Sequence, residues 1–233
     1  MSSQTINANQ PCYGLTYEVT NEQGVKSYLM GTSHVADKDM VLGAPYLNLI
    51  EKCSALYTEP GTNIYVTLPH GSIPEQPHKH SHLQYRFCID ITLTIAAWCK
   101  GIPITGLDAY SNEDIDLINK EEVQDKALER MNTNVGSDFI TNIAAWKSGD
   151  IQRMTDLRKL VEEFNPSLIG EREDEWAKVL IPALKATQKT IGIAVGIVHL
   201  VGEDGLQARF QKEGLKVELI KPKFTTPHLY SRL

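Results

Sequence analysis

The segment Thr190-Ile-Gly-Ile-Ala-Val195 constrains the fold more than any other stretch of this chain. It is short, β-branched and apolar at consecutive positions, so both faces of the strand it predicts must be covered. Such a strand belongs inside a parallel sheet with helices on both sides. Further strands are expected at Tyr13–Thr20, Lys26–Met30, Ala55–Thr58, Ile102–Thr105 and Lys216–Ile220. The first two, joined by Asn21-Glu-Gln-Gly24, read as a hairpin. Helices are expected at 44–53, 86–100, from Ser111 into the early 130s, and at 137–147, 150–164, 171–188 and 203–213. Trp98, Trp146 and Trp176 fall at helical spacing and are expected in the core. The alternation of strands and helices predicts an α/β fold: a central mixed, mostly parallel sheet flanked by helices and opened by a β-hairpin. With 233 residues and no Pro/Gly/Ser-rich linker, residues 1–233 are expected to form a single domain whose core spans about 13–220.

The formal net charge is −6 and the Lys/Arg residues are scattered. A nucleic-acid partner calls for a basic footprint and a membrane surface for a basic amphipathic segment, so neither is expected. Met1 to Gln10 is polar and carries no apolar signal-peptide core. The four cysteines, Cys12, Cys53, Cys88 and Cys99, form no C-x-x-C pair. Reduced thiols and a cytoplasmic location, at the place of synthesis or after delivery into a host cell, are therefore expected.

Chemistry-bearing residues gather just past the strands. Gly31-Thr-Ser-His34 follows Tyr28-Leu-Met30, and Glu59-Pro60 follows Ala55–Thr58. Gly106-Leu-Asp108 follows Ile102–Thr105, and Gly196-Ile-Val-His199 follows Ile193-Ala-Val195. Sites in open α/β sheets form outside the carboxyl ends of parallel strands. If these strands lie parallel and adjacent, His34, Glu59, Asp108 and His199 converge. One histidine after a strand is most often structural; two G-x-x-H segments joined by a Glu and an Asp make a candidate site. Two imidazoles with carboxylates suit zinc, manganese, cobalt or iron, with coordination positions left for water. His70, His78, His80 and His82 read as a polar loop, Glu171 to Glu175 as charges serving a helix start, and Ser231-Arg-Leu233 as a weak likeness to a peroxisomal address.

Tyr28-Leu-Met-Gly-Thr-Ser-His-Val35 and Ala194-Val-Gly-Ile-Val-His-Leu-Val-Gly-Glu-Asp-Gly205 resemble the two G-x-x-H motifs of the TraB/GumN family, which includes the Tiki metalloproteases. Tyr57-Thr-Glu59 is similar to the family's acidic strand end, and Ala145-Trp-Lys-Ser-Gly-Asp150 to its W-x-x-G-D segment. Glu171-Arg172 before Trp176-Ala177 resembles its arginine-bearing segment. The resemblance implies a fold related to erythromycin-esterase-like and ChaN-like haem-binding proteins. It also implies a divalent metal (manganese, cobalt, zinc or iron) held by His34 and His199. Glu59 would be ligand or general base, and Arg172 would orient Glu59 or stabilise an oxyanion. Asp108 stands where family members commonly carry Glu. The function so implied is hydrolysis of a peptide or small amide or ester substrate. Its alternatives are a non-enzymatic module that binds a haem-like ligand or sequesters a peptide, or a bacterial effector acting through protein contact.

Overall fold

A computed structural model describes residues 14–33, 36–37, 44–59, 83–84, 89–108, 145–164 and 166–220. Its strands are β1 (Thr16–Thr20), β2 (Lys26–Thr32), β3 (Ala36–Asp37), β4 (Ala55–Thr58), β5 (Leu83–Gln84), β6 (Ile104–Gly106), β7 (Ile191–Gly196) and β8 (Lys216–Leu219). Its helices are α1 (Ala44–Ile50), α2 (Ile89–Cys99), α3 (Ile151–Phe164), α4 (Gly170–Ala186) and α5 (Leu206–Lys212). Six strands make one sheet in the order β6-β4-β7-β2-β1-β8, while β3 and β5 pair separately.

The chain is an α/β protein with a mixed sheet, as its alternating pattern predicts. β6, β4, β7 and β2 run parallel; β1 is antiparallel to both β2 and β8. All six residues of β7 are buried, and Leu29, Leu56, Ile193, Ala194 and Val195 are fully enclosed. The opening hairpin turns at Asn21, whose Oδ1 accepts the Gln23 and Val25 amides. Its Nδ2 donates to the Leu184 and Thr187 carbonyls, which ties the turn to the end of α4.

Several boundaries differ from the sequence expectation, each for a local reason. The strand expected from Ile102 begins at Ile104 because Ile102 belongs to the end of α2. Its amide donates to the Ala97 carbonyl and that of Gly101 to Trp98, a Schellman closure. The last helix starts at Leu206 rather than at 203. A Cβ on Gly205 would sit 2.3 Å from the Val201 carbonyl oxygen, so the preceding turn folds tightly over that glycine. Trp146 and Trp176 are buried, but Trp98, expected in the core, is 71 % exposed near the end of α2. The helices expected between Ser111 and residue 144, the His70–His82 tract and the Ser231–Leu233 tail lie outside the described residues. Among the described residues no helix is long and apolar enough to cross a membrane.

Cys53 and Cys99 illustrate the difference between core and surface. Burial pushes the Cys53 thiol up to about 11, whereas Cys99 is exposed. An alkylating reagent at mildly alkaline pH is expected to label Cys99 in the native protein and Cys53 only after unfolding, as read by peptide mass mapping. Equal labelling of both in the native state would contradict the packing described. Because the folded pKa is raised, the thiol's contribution to stability holds below its unfolded value of 9.0 and is lost as pH rises toward about 11.

Candidate functional site

The parallel register sets three of the site's side chains. Beyond β4 and β6 the ladder continues, with the Leu107 amide donating to the Thr58 carbonyl at 2.8 Å and the Asp108 amide to Glu59 at 2.9 Å. Glu59 and Asp108 therefore leave neighbouring strand ends side by side. On the other flank of β4, β7 ends at Gly196 and enters a single 3₁₀ turn, Ile197–His199, that brings His199 over the strand ends. Glu59 is 3 % exposed; its Oε1 accepts the Gly196 amide and its Oε2 accepts Arg172 Nη2 at 2.9 Å. His199 is equally buried, with Nε2 3.8 Å from Glu59 Oε1.

Arg172 lies in the first turn of α4 and links the carboxylates. Its Nη2 also donates to Asp108 Oδ2 at 2.5 Å, its Nε to Asp108 Oδ1 at 3.3 Å, and its Nη1 lies 3.5 Å from His199 Nε2. Arg172 and Trp176 are four residues apart, so they share one face of the helix. The guanidinium sits over the Trp176 ring at 4.6 Å, and the indole Nε1 donates to Asp108 Oδ1 at 2.9 Å. Both oxygens of Asp108 are thus engaged by Arg172 and Trp176. The His199 ring packs against the same indole at 4.7 Å, tilted by 59°.

Beneath this layer lies a second charged pair. Glu173, fully buried, has Oε1 3.0 Å from His199 Nδ1. Arg158 of α3 donates to both its oxygens, Nη1 at 2.6 Å and Nη2 at 3.0 Å. Arg158 also donates to the Val198 carbonyl at 3.1 Å and pairs with Glu162 at 2.8 Å. Burial alone would lower the pKa of Arg158; its bonds to Glu173 and Glu162 outweigh that and raise it. Gly202, at φ +89°, leaves the room this side chain occupies, since a Cβ there would lie 3.0 Å from Arg158 Cδ.

Of the residues singled out from the sequence, Glu59, Asp108, Arg172 and His199 come together, while His34 lies outside the described residues. The last described residues before it are Thr32, which pairs with Gly196, and Ser33. The buried hydroxyls of Thr32 and Thr58, on the strands flanking β7, have no partner among the described residues. Glu173 and Arg158 were not expected to have a functional position. The available signal was spacing: Glu173 shares the buried stripe of Trp176, Ala177, Leu180 and Leu184, where a carboxylate is unusual.

The donor chemistry fits part of a metal centre. A buried imidazole nitrogen and a carboxylate oxygen, 3.8 Å apart, are the kinds of donor that zinc, manganese, cobalt or iron(II) accept. Among the described residues no group of three or more His, Cys, Asp or Glu could hold an ion.

No curated protein and no solved structure matches the chain. A model of the TraB/PrgY/gumN family does match, over residues 71–219, a span that includes Asp108, Arg158, Arg172, Glu173 and His199. That span covers more than half of the 233 residues and carries the second G-x-x-H motif in its structural place at the end of β7, so the chain belongs to the TraB/PrgY/gumN family.

Proposed function

We propose that this chain is a metal-dependent hydrolase that cleaves a peptide or a small amide or ester bond with water. The observation that carries the reading is the juxtaposition, at neighbouring strand ends, of His199 Nε2 and Glu59 Oε1 with the Arg172 donors beside them. His199 and His34 would hold the ion, with Glu59 beside it. A divalent ion there supplies Lewis acidity that brings the pKa of water toward neutrality. Glu59, nearly enclosed and held by the Gly196 amide, takes up the proton released by the attacking water. Arg172, 24 % exposed at its side chain, is the more open of the pair and faces incoming substrate. Its guanidinium stays charged at any working pH and its N–H groups stabilise charge developing on the carbonyl oxygen. Asp108 and Trp176 hold that guanidinium in one plane, which makes them positioning residues.

The test is metal content and cleavage together. Wild-type protein is expected to retain roughly one manganese, cobalt, zinc or iron per chain and His34→Ala/His199→Ala none. Peptide or ester cleavage should stop with chelator and return with the ion. Glu59→Gln leaves one acceptor oxygen where the carboxylate offers two, to the Gly196 amide and to Arg172, and should lower turnover at least about 100-fold. Absence of any ion after incubation with each metal would overturn the reading. A Soret band on haem addition without cleavage would favour a binding module, and a protein partner retained by the double histidine variant would favour a contact-based effector.

A further inference from the structure

We propose that Arg158 and Glu173 are positioning residues that fix the tautomer of His199, with the proton on Nδ1 and Nε2 bare toward Glu59 and Arg172. The catalytic meaning of this rests on the hydrolase reading; the tautomer itself does not.

Stability does not explain where Glu173 sits. Glu173 occupies a stripe of α4 otherwise filled by Trp176, Ala177, Leu180 and Leu184, and it is fully buried. Arg158 reaches it from α3 with a side chain only 4 % exposed. A buried ion pair contributes little net stability over an apolar pair of the same volume, because desolvating both charges offsets their attraction. The gain lies in directionality.

The arrangement of donors and acceptors sets that direction. A guanidinium is donor-only, and Arg158 presents Nη1 to Glu173 Oε1 and Nη2 to Oε2. Both carboxylate oxygens are thereby held as acceptors, and the capacity left on Oε1 faces His199 Nδ1 at 3.0 Å. A contact of that length with an acceptor requires the ring to carry its proton on Nδ1. In the neutral ring Nε2 then presents a lone pair. Among the described residues its nearest polar neighbour, Arg172 Nη1 at 3.5 Å, is itself a donor and faces a bare nitrogen favourably. The opposite tautomer would set Nε2–H against the guanidinium and leave Nδ1 without a proton to give.

Two further contacts hold the ring. Arg158 Nη1 donates to the carbonyl of Val198, so the same guanidinium fixes the 3₁₀ turn that carries His199. The Trp176 indole packs at 4.7 Å against the ring and opposes a flip. Carboxylate, guanidinium and indole come from two helices that pack outside the sheet. The sheet places the histidine, and the helices choose which nitrogen it offers.

The test is nitrogen-15 NMR of the His199 ring in metal-free, full-length protein at mildly alkaline pH, assigned by its loss in His199→Gln. Wild type is expected to show a protonated Nδ1 and an unprotonated Nε2. Glu173→Gln, which can still turn an acceptor oxygen to Nδ1, should keep that pattern. Arg158→Met/Glu173→Leu removes both charges together and so avoids a lone buried ion. It should shift the ring toward Nε2–H and weaken divalent-ion binding about 10- to 100-fold. A wild-type ring carrying its proton on Nε2, or on both nitrogens, would overturn the proposal whether or not any variant folds. So would a folded double variant that keeps the wild-type pattern. Absence of metal or of cleavage would remove the hydrolase reading and leave these spectra unchanged.

Discussion

Arg158→Ala is expected to lower the unfolding free energy by about 3–5 kcal/mol, the usual result of stripping one partner from a buried ion pair. Glu173 would stay fully buried, and among the described residues its remaining neighbours would be His199 at 3.0 Å and, more distantly, Arg209, whose Nε lies 3.7 Å from Oε2. Arg209 already donates to the Asp204 carbonyl and pairs with Asp174, so it offers partial compensation at most. The Val198 carbonyl would lose its donor as well. In a protein of this size, each kcal/mol moves the melting temperature by about 2–4 °C, so the midpoint should fall by roughly 6–20 °C. Arg158→Met/Glu173→Leu should recover to within about 1–2 kcal/mol of wild type, because no charge is left alone. Denaturant titration followed by circular dichroism measures both. A single variant within about 1 kcal/mol of wild type would mean that the pair relaxes to solvent when broken.

The second large effect is on turnover. In the hydrolase proposed above, Arg172→Lys should reduce kcat/KM by about 100- to 1,000-fold, close to the loss from removing one preorganised oxyanion donor. One guanidinium binds Glu59 and both oxygens of Asp108 while its carbon sits over the Trp176 ring. An ammonium offers a single point and cannot keep that plane. Stability should change by only about 1 kcal/mol or less, since the side chain is part-exposed and its ion pairs are screened. Parallel measurement of kcat/KM and the urea midpoint separates the two effects. Activity retained within about threefold would reduce Arg172 to a bare positive charge.

The sequence made some of this arrangement legible and hid the rest for physical reasons. The apolar run of β7 announced a central strand because burial on both faces suppresses the period of two. Glu59, Asp108 and His199 could be grouped because side chains just past parallel strands have one direction to go. Glu173 could not be read the same way. An acid in the first turn of a helix is ordinarily accounted for by the macrodipole, and only the structure shows that this one faces inward onto Arg158. The start of β6 was misplaced because the Schellman closure of α2 takes Ile102 for its own hydrogen bond, a competition that β-propensity does not register. The exposure of Trp98 was hidden likewise: helical spacing gives a face but not whether anything packs on it.

The position of β7 has a consequence for synthesis. It lies between β2 and β4, both of which precede it in the chain, and it pairs with each along its length. While a ribosome makes this protein, the first hairpin and β4 emerge early and must wait with unsatisfied backbone on the flanks that β7 will join. Both flanks are apolar, the combination that invites wrong pairing between nascent chains. Capture of the growing polypeptide by a holdase should therefore peak before β7 leaves the exit tunnel and fall once it has inserted, so that Glu59 meets the Gly196 amide only after β7 has emerged.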